Sequence, residues 1–159
     1  MTALAIPAGA GDTPLAGVIR RFRALLATFV VNGGTAIVTS RIKGGGTEPL
    51  NIGWGIGAGT TAKTDTALFS EKDIDLASAS GSRTAGSSSQ VTTTVTNDTY
   101  QVTGTRTMTA TGPVAVTNAG LFDNATIGSG SLFMKGDFAA INLSQNDSIA
   151  FTFKAQVTN

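Results

Sequence analysis

Three carboxylates, Glu71, Asp73 and Asp75, alternate along the chain, and an extended backbone places all three on one face. Oxygen ligands so grouped can hold a calcium ion, and a carboxylate pair can serve as acid and base in glycoside hydrolysis. The competing expectation, and the one adopted, is a solvated strand edge whose charge guards against aggregation. A second candidate is Gly57-Ala-Gly-Thr-Thr-Ala-Lys-Thr64, which approaches a phosphate-binding loop. The true motif has glycine where Ala62 stands and opens a helix, whereas Thr64-Asp-Thr-Ala-Leu68 carries no long amphipathic pattern, so an ordinary loop is expected. The Gly55-x-Gly57-x-Gly59 spacing likewise fails the dinucleotide fingerprint. Asp123 and Asp137 fall near expected turns. Serine and threonine are plentiful, but no base is recognisable beside any of them.

The chain lacks histidine and cysteine altogether. That removes histidine-based triads, thiol nucleophiles, disulfides and zinc sites built on these residues. Neither a catalytic residue nor a metal ligand is assigned, no cofactor is expected, and the chain is read as a non-enzyme. Charged residues make up 13% of the sequence, about half the usual share, as expected where partners cover much of the surface or in a stiff extracellular sheet protein.

The elements around these residues read as strands. Ile149, Phe151, Phe153, Ala155 and Val157 alternate with Ser148, Thr152, Lys154, Gln156 and Thr158, the period of a sheet with one buried face. Thr103, Thr105, Thr107, Thr109 and Thr111 alternate in the same way with Val102, Gly104, Arg106, Met108 and Ala110. Further strands are expected at Val114 to Phe122 and Ser131 to Phe138. Val91 to Thr96 and Tyr100 to Thr111 should form a hairpin turning at Asn97-Asp98. Phe22 to Val31 fits helix or strand, and its β-branched end before Asn32-Gly33-Gly34 favours a strand entering a turn. Thr35 to Lys43 is the expected helix, with Val38 and Ile42 four apart and Gly44 as its left-handed cap. Ala77 to Gln90, rich in Ser, Gly and Ala, is expected to be a mobile loop.

In Asn51 to Gly57, Ile52, Trp54 and Ile56 share one face, and Gly53, Gly55 and Gly57 share the other. Bare backbone of that kind invites close approach of another sheet or chain. The fold class expected is mainly β: a β-sandwich or jelly roll with one short helix. An extended arm over residues 1–17, interrupted by Pro7 and Pro14, should precede a single domain over 18–159.

Residues 1–43 carry five Arg or Lys against one Asp, while residues 44–159 carry six against nine acids. A basic end on a mildly acidic body suits docking onto an acidic surface or onto the next copy, and equally suits a solvated charge cluster. The expected partner interface therefore comprises Arg20, Arg21 and Arg23 together with Gly53, Trp54 and Gly55. The basic residues form no long run and are not interleaved with aromatics, so nucleic acid is not expected as a partner. Nor is a membrane, because Val18 to Val31 is short and broken by three arginines. Met1 to Gly17 lacks the basic and apolar regions of a signal peptide, so the Asn-x-Ser/Thr sequences at Asn97, Asn124, Asn142 and Asn146 are read as chance matches.

Asn51-Ile-Gly-Trp-Gly-Ile-Gly-Ala-Gly-Thr-Thr61, with Thr64-Asp-Thr-Ala-Leu68 and Glu71, resembles a pattern in tailed-bacteriophage virion proteins. So do Val116-Thr-Asn-Ala-Gly-Leu-Phe-Asp123, Ser131-Leu-Phe-Met-Lys135, the Phe138 to Leu143 segment and Asn146-Asp-Ser-Ile-Ala-Phe-Thr-Phe153. Over residues 32–157 the chain is similar to the small β-sandwich proteins that decorate phage heads or form parts of head and tail fibres. The resemblance implies a head decoration (cement) protein: a homotrimer bound to the major capsid protein on the outer surface of the virion, made in the host cytoplasm. The alternative within the same family is a tail or fibre component, in which loops such as 77–90 would contact the host.

Overall fold

In the computed structural model, residues 21–25, 29–76 and 78–158 are described. The expected arm at 1–17 and Arg20 lie outside them. The period-two segments fold as strands, in two sheets. The first sheet contains β1 (Arg21–Leu25), β6 (Ser87–Val91), β7 (Thr99–Thr107) and β10 (Ser148–Gln156), in the order β1-β10-β7-β6. The second contains β2 (Phe29–Val30), β3 (Asn51–Gly55), β4 (Glu71–Lys72), β8 (Val114–Phe122) and β9 (Leu132–Leu143), in the order β2-β9-β8-β3-β4. A short β5 (Thr84–Ala85) also pairs with β3. Pairing is antiparallel except between β1 and β10, which run parallel. Mainly β structure in two stacked sheets is the architecture expected, and the strands outnumber the expected seven because several are two-residue pieces.

The core lies between the sheets. Val102 of β7 and Ile149, Phe151 and Phe153 of β10 meet Ile52 and Trp54 of β3, Val116 and Leu121 of β8, and Met134 of β9. The expected register of β10 holds: Ile149, Phe151 and Phe153 are buried, although Val157 beyond the strand end is exposed. On the outer face of the second sheet, Val31, Leu68, Phe122 and Leu132 form a smaller cluster. There both faces of that sheet are covered by the chain itself, whereas the second half of β9, from Asp137 to Asn142, is largely exposed.

Four expectations need correction. Asn32-Gly33-Gly34 is not a turn but the first turn of α1 (Asn32–Ile42). A Cβ at Gly34 would collide with the Phe133 carbonyl, so the glycine is there to let the helix rest on β9. That close packing offsets the roughly 1 kcal/mol that glycine costs inside a helix. Second, α1 buries Gly34 and Ile37, and the expected apolar pair Val38 and Ile42 is exposed. The C-terminus is as expected: Gly44 has φ +88° and its N–H donates to Arg41 O. Third, the loop expected at 77–90 contains β5 and most of β6. Fourth, the first strand of the hairpin is therefore Ser87–Val91 rather than Val91 to Thr96. Polar Ser and Gln hide a strand whose side chains stay exposed; only backbone pairing to β7 defines it. The turn lies at the expected place, with Asn97 in the left-handed region (φ +58°) and Asp98 accepting the N–H groups of Thr93, Thr94 and Val95.

Candidate functional site: three buried cations and their acidic partners

The glycine stripe of β3 is the foundation of the most chemically dense region. Leu68 Cδ1 and Phe122 Cε2 would come within 3.1 and 3.2 Å of a Cβ at Gly53, and Glu71 Oε1 closer still. At Gly55 the obstacles are the Phe69 carbonyl and the Asn118 side-chain amide. The Phe69 ring would stand 2.5 Å from a Cβ at Gly59. The bare backbone is thus approached by residues 68–71 of the same chain. Gly53, Trp54 and Gly55, expected to face a partner, are all buried, Trp54 at 0% exposure, and this expectation is corrected: a Cβ-free stripe seats whatever packs on it, and here that is the chain's own loop. The glycines of the phosphate-loop look-alike belong to the same packing, and no helix follows them.

Glu71 meets Arg83 in a two-pronged ion pair. Arg83 Nε donates to Oε1 at 2.7 Å and Nη2 to Oε2 at 3.0 Å, with side-chain exposures of only 2% for Arg83 and 9% for Glu71. Arg83 Nη1 donates to the carbonyls of Asn124, Thr126 and Ser129 at 2.8–2.9 Å, and its guanidinium carbon lies 3.4 Å from the centroid of Phe122. One side chain therefore ties β4 to the β8–β9 turn.

Arg106 enters the interior from the inward face of β7. Its Nη1 donates to Ile52 O at 2.6 Å and Nη2 to Ser82 O at 3.2 Å. Asp73 Oδ1 lies 3.8 Å from Nη2, and the ring of Trp54 is 4.9 Å away. Nε has no hydrogen-bond partner. Burial brings the guanidinium pKa down to about 10, against the opposing pull of Asp73 and Glu71. Trp54 Nε1 donates to Asp73 O at 3.1 Å, fixing the tryptophan from the other side.

Lys135, fully buried on β9, donates to Asp65 Oδ2 at 2.8 Å and to Ala67 O at 3.1 Å, with its Nζ 3.1 Å from the centroid of Phe69. The hydrogen bond from Lys135 holds the Asp65 carboxyl below the usual carboxylate range. Beside it, Asn118 Oδ1 accepts Phe69 N–H, and its Nδ2 donates to Gly57 O and Phe69 O. Asp137 Oδ1 accepts Thr61 N–H at 2.8 Å, and hydrogen bonding from Thr61 lowers its pKa. Asn118 and Asp137 are cross-strand partners on β8 and β9, so these adjacent strands hold the 57–70 loop by four polar side chains, counting Thr117, which donates to Gly57 O.

Each buried cation therefore has an aromatic face within 5 Å and an acid within 4 Å, a pattern that lowers the cost of interior charge. Glu71 and Asp73 are not the solvated strand edge expected from the sequence. They neutralise Arg83 and Arg106, and with the backbone leaving β4 after Lys72 they do not line one open face. Among the described residues no group of three or more His, Cys, Asp or Glu is placed to hold a metal ion. Asp123 clamps its own turn by accepting Ser131 N–H at 2.6 Å. Arg21 and Arg23, expected at the partner interface, lie on β1 with their backbone paired to Ser148 and Ala150 of β10.

Sequence reasoning missed Arg83, Arg106, Lys135, Asp65 and Asn118. Arg106 had a signal: it occupies an inward slot between Val102 and Met108. Lys135, within the apolar run Leu132-Phe-Met-Lys135, had another. No helix among the described residues is long and apolar enough to cross a membrane, which leaves strand-built membrane proteins untouched. No family model matches the chain, and no match is found among the curated proteins or the solved structures.

Proposed function

We propose that this chain is a non-enzymatic structural virion protein, a decoration (cement) protein that binds as a homotrimer to the major capsid protein on the outer surface of a tailed-phage head. The observation that supports this reading best is the use made of the acidic residues. Glu71, Asp73 and Asp65, the groups most suited to chemistry, are committed to Arg83, Arg106 and Lys135, where they brace the fold. A braced interior beneath outward faces of Thr, Ser and Gln suits a protein whose task is to be covered on both sides by larger partners. The resemblance of residues 32–157 to head and fibre proteins points the same way.

The mechanism is mass action. A partner that binds the assembled lattice and not free subunits stabilises the lattice by RT ln(1 + [L]/Kd), about 2.7 kcal/mol per site at a hundredfold excess over Kd. Apolar and backbone burial supplies affinity, and the Arg20–Arg23 cluster orients the encounter. Quantitative mass spectrometry of virions carrying this chain tests the reading: hundreds of copies per particle, imaged on the outer head surface, are expected. A few to tens of copies, or a position on the tail, would overturn it.

A further inference from the structure

Strand β6 is an edge without the usual protection. Among the described residues it pairs with β7 alone, so its outer N–H and C=O groups face away from the sheet. Edge strands are normally guarded by lysine, proline or inward charges. Here residues 84–97 contain no charged residue and no proline. The side chains of β6 that share the inward face with Val102 and Tyr100, namely Ser88 and Gln90, are nonetheless exposed. Leu50 and Tyr100 beside them are only half-buried. The sandwich is thus open along this edge, in both its hydrogen bonding and its apolar covering.

We infer that β6 accepts an added strand from residues 2–6 of a second copy of this chain. That segment, Thr2-Ala3-Leu4-Ala5-Ile6, matches the five residues of β6 in length, carries no charge and ends at Pro7, which cannot extend a ladder. Its alternation sets Leu4 and Ile6 on one face, which would lie over Leu50 and Tyr100, and small Ala3 and Ala5 on the other. The fourteen residues between Ile6 and Arg21 can span roughly 50 Å, ample to reach a neighbour. β1, where this segment enters the fold, and β6 occupy opposite edges of the same sheet. Donor and acceptor on opposite edges make a head-to-tail contact, which closes into a ring when the rotation between copies divides a full turn, as the proposed trimer requires. The inference rests on the self-association proposed above but not on the phage particle.

The absence of cysteine makes the test clean. Ala5→Cys is combined with Ser87→Cys or Ser89→Cys, one pair at a time, in the full-length chain, and folding is checked by circular dichroism. Mild oxidation is expected to yield disulfide-linked multimers that end in a closed covalent ring, because neighbouring strands bring Cα atoms within disulfide range. The Gln90→Lys change, an inward charge on the acceptor edge, added to the same pair, should reduce the linked species at least several-fold. A disulfide formed only within one chain would show the segment folding back on its own copy, and no disulfide in either pair would show it elsewhere; both overturn the inference. A trimer mass by light scattering alongside either negative result would leave the proposed oligomer standing without this strand.

Discussion

Replacing Arg83 by Met should be among the most damaging single changes available to this chain. The substitution leaves Glu71, whose side chain is 9% exposed, without its cation, and it deprives the carbonyls of Asn124, Thr126 and Ser129 of a shared donor. Breaking a buried pair from one side costs about 3–5 kcal/mol. The turn carbonyls lie in exposed residues and can turn to water, so they add no more than about 1 kcal/mol. We therefore expect Arg83→Met to cost about 4–5 kcal/mol, a large part of the 5–15 kcal/mol typical of a whole domain. Glu71→Gln, which keeps the shape and the three carbonyl contacts, should cost about 3 kcal/mol. The double change Glu71→Gln with Arg83→Met removes both charges, so it should fall short of the sum of its single changes by about 2–3 kcal/mol. Urea unfolding followed by the fluorescence of Trp54, the only tryptophan and fully buried, reads all four proteins with one probe. If Arg83→Met costs under about 1 kcal/mol, or if the single costs add to within about 0.5 kcal/mol, the pair does not brace the fold as argued.

Phe151→Ala, at a position 1% exposed, should cost about 3–5 kcal/mol, whereas Thr152→Ala on the opposite face should stay within about 0.5 kcal/mol; similar losses in the same urea assay would place β10 in the wrong register. Gly55→Ala sets a methyl against the Phe69 carbonyl and the Asn118 amide and should lower stability by about 1–3 kcal/mol, and an unchanged midpoint would show that the 57–70 loop is not seated there. Asp65, Asp98 and Asp137 all have folded pKa values below the ordinary range, Asp98 chiefly through backbone N–H donors led by Val95. The folded chain then binds fewer protons than the unfolded one, so their contribution is present above about pH 4 and lost as pH falls through the folded values; a urea midpoint that rises on acidification would contradict this. Replacing Arg20 and Arg21 with Ala should weaken binding to heads more at low salt than at high salt, and equal losses at both would remove charge from the docking step.

What was legible in the sequence was legible through period two. The alternation in β10 and β7 identified strands, faces and the buried phenylalanines, because an apolar residue at every second position has only one way to reach a core. β6 was illegible for the complementary reason. Ser87-Ser-Ser-Gln-Val91 carries no alternating apolarity, since no side chain of this edge enters the core, and its only structural signal is a backbone ladder that composition does not record. The helix is legible at its C-terminus through the Gly44 cap, but the spacing of Val38 and Ile42 points to the wrong face. Gly34 marks the buried face by lacking a side chain where β9 comes closest, and an apolar count gives a glycine no weight.

The polar interior was hidden by a different cause: the pairs join residues far apart in sequence, and each half alone reads as surface. Glu71 with Asp73 and Asp75 looks like a guarded edge until Arg83 is known to be buried, and Lys135 looks like an outward lysine until the first residues of β9 are known to be covered on both faces. Yet alternation supplied one half of the answer. Arg106 falls in step with Val102 and Met108, so a sheet that buries those two must bury the guanidinium between them. An interior cation needs an acid and hydrogen-bond acceptors nearby, since desolvation alone would cost several kcal/mol. Asp73 is one of few acids in the chain and stands in the strand-rich neighbourhood of Trp54, whose indole bonds its carbonyl. A charge in an inward slot is thus a constraint rather than an anomaly: it requires a partner across the core, and so turns an acidic cluster from a candidate site into a candidate brace.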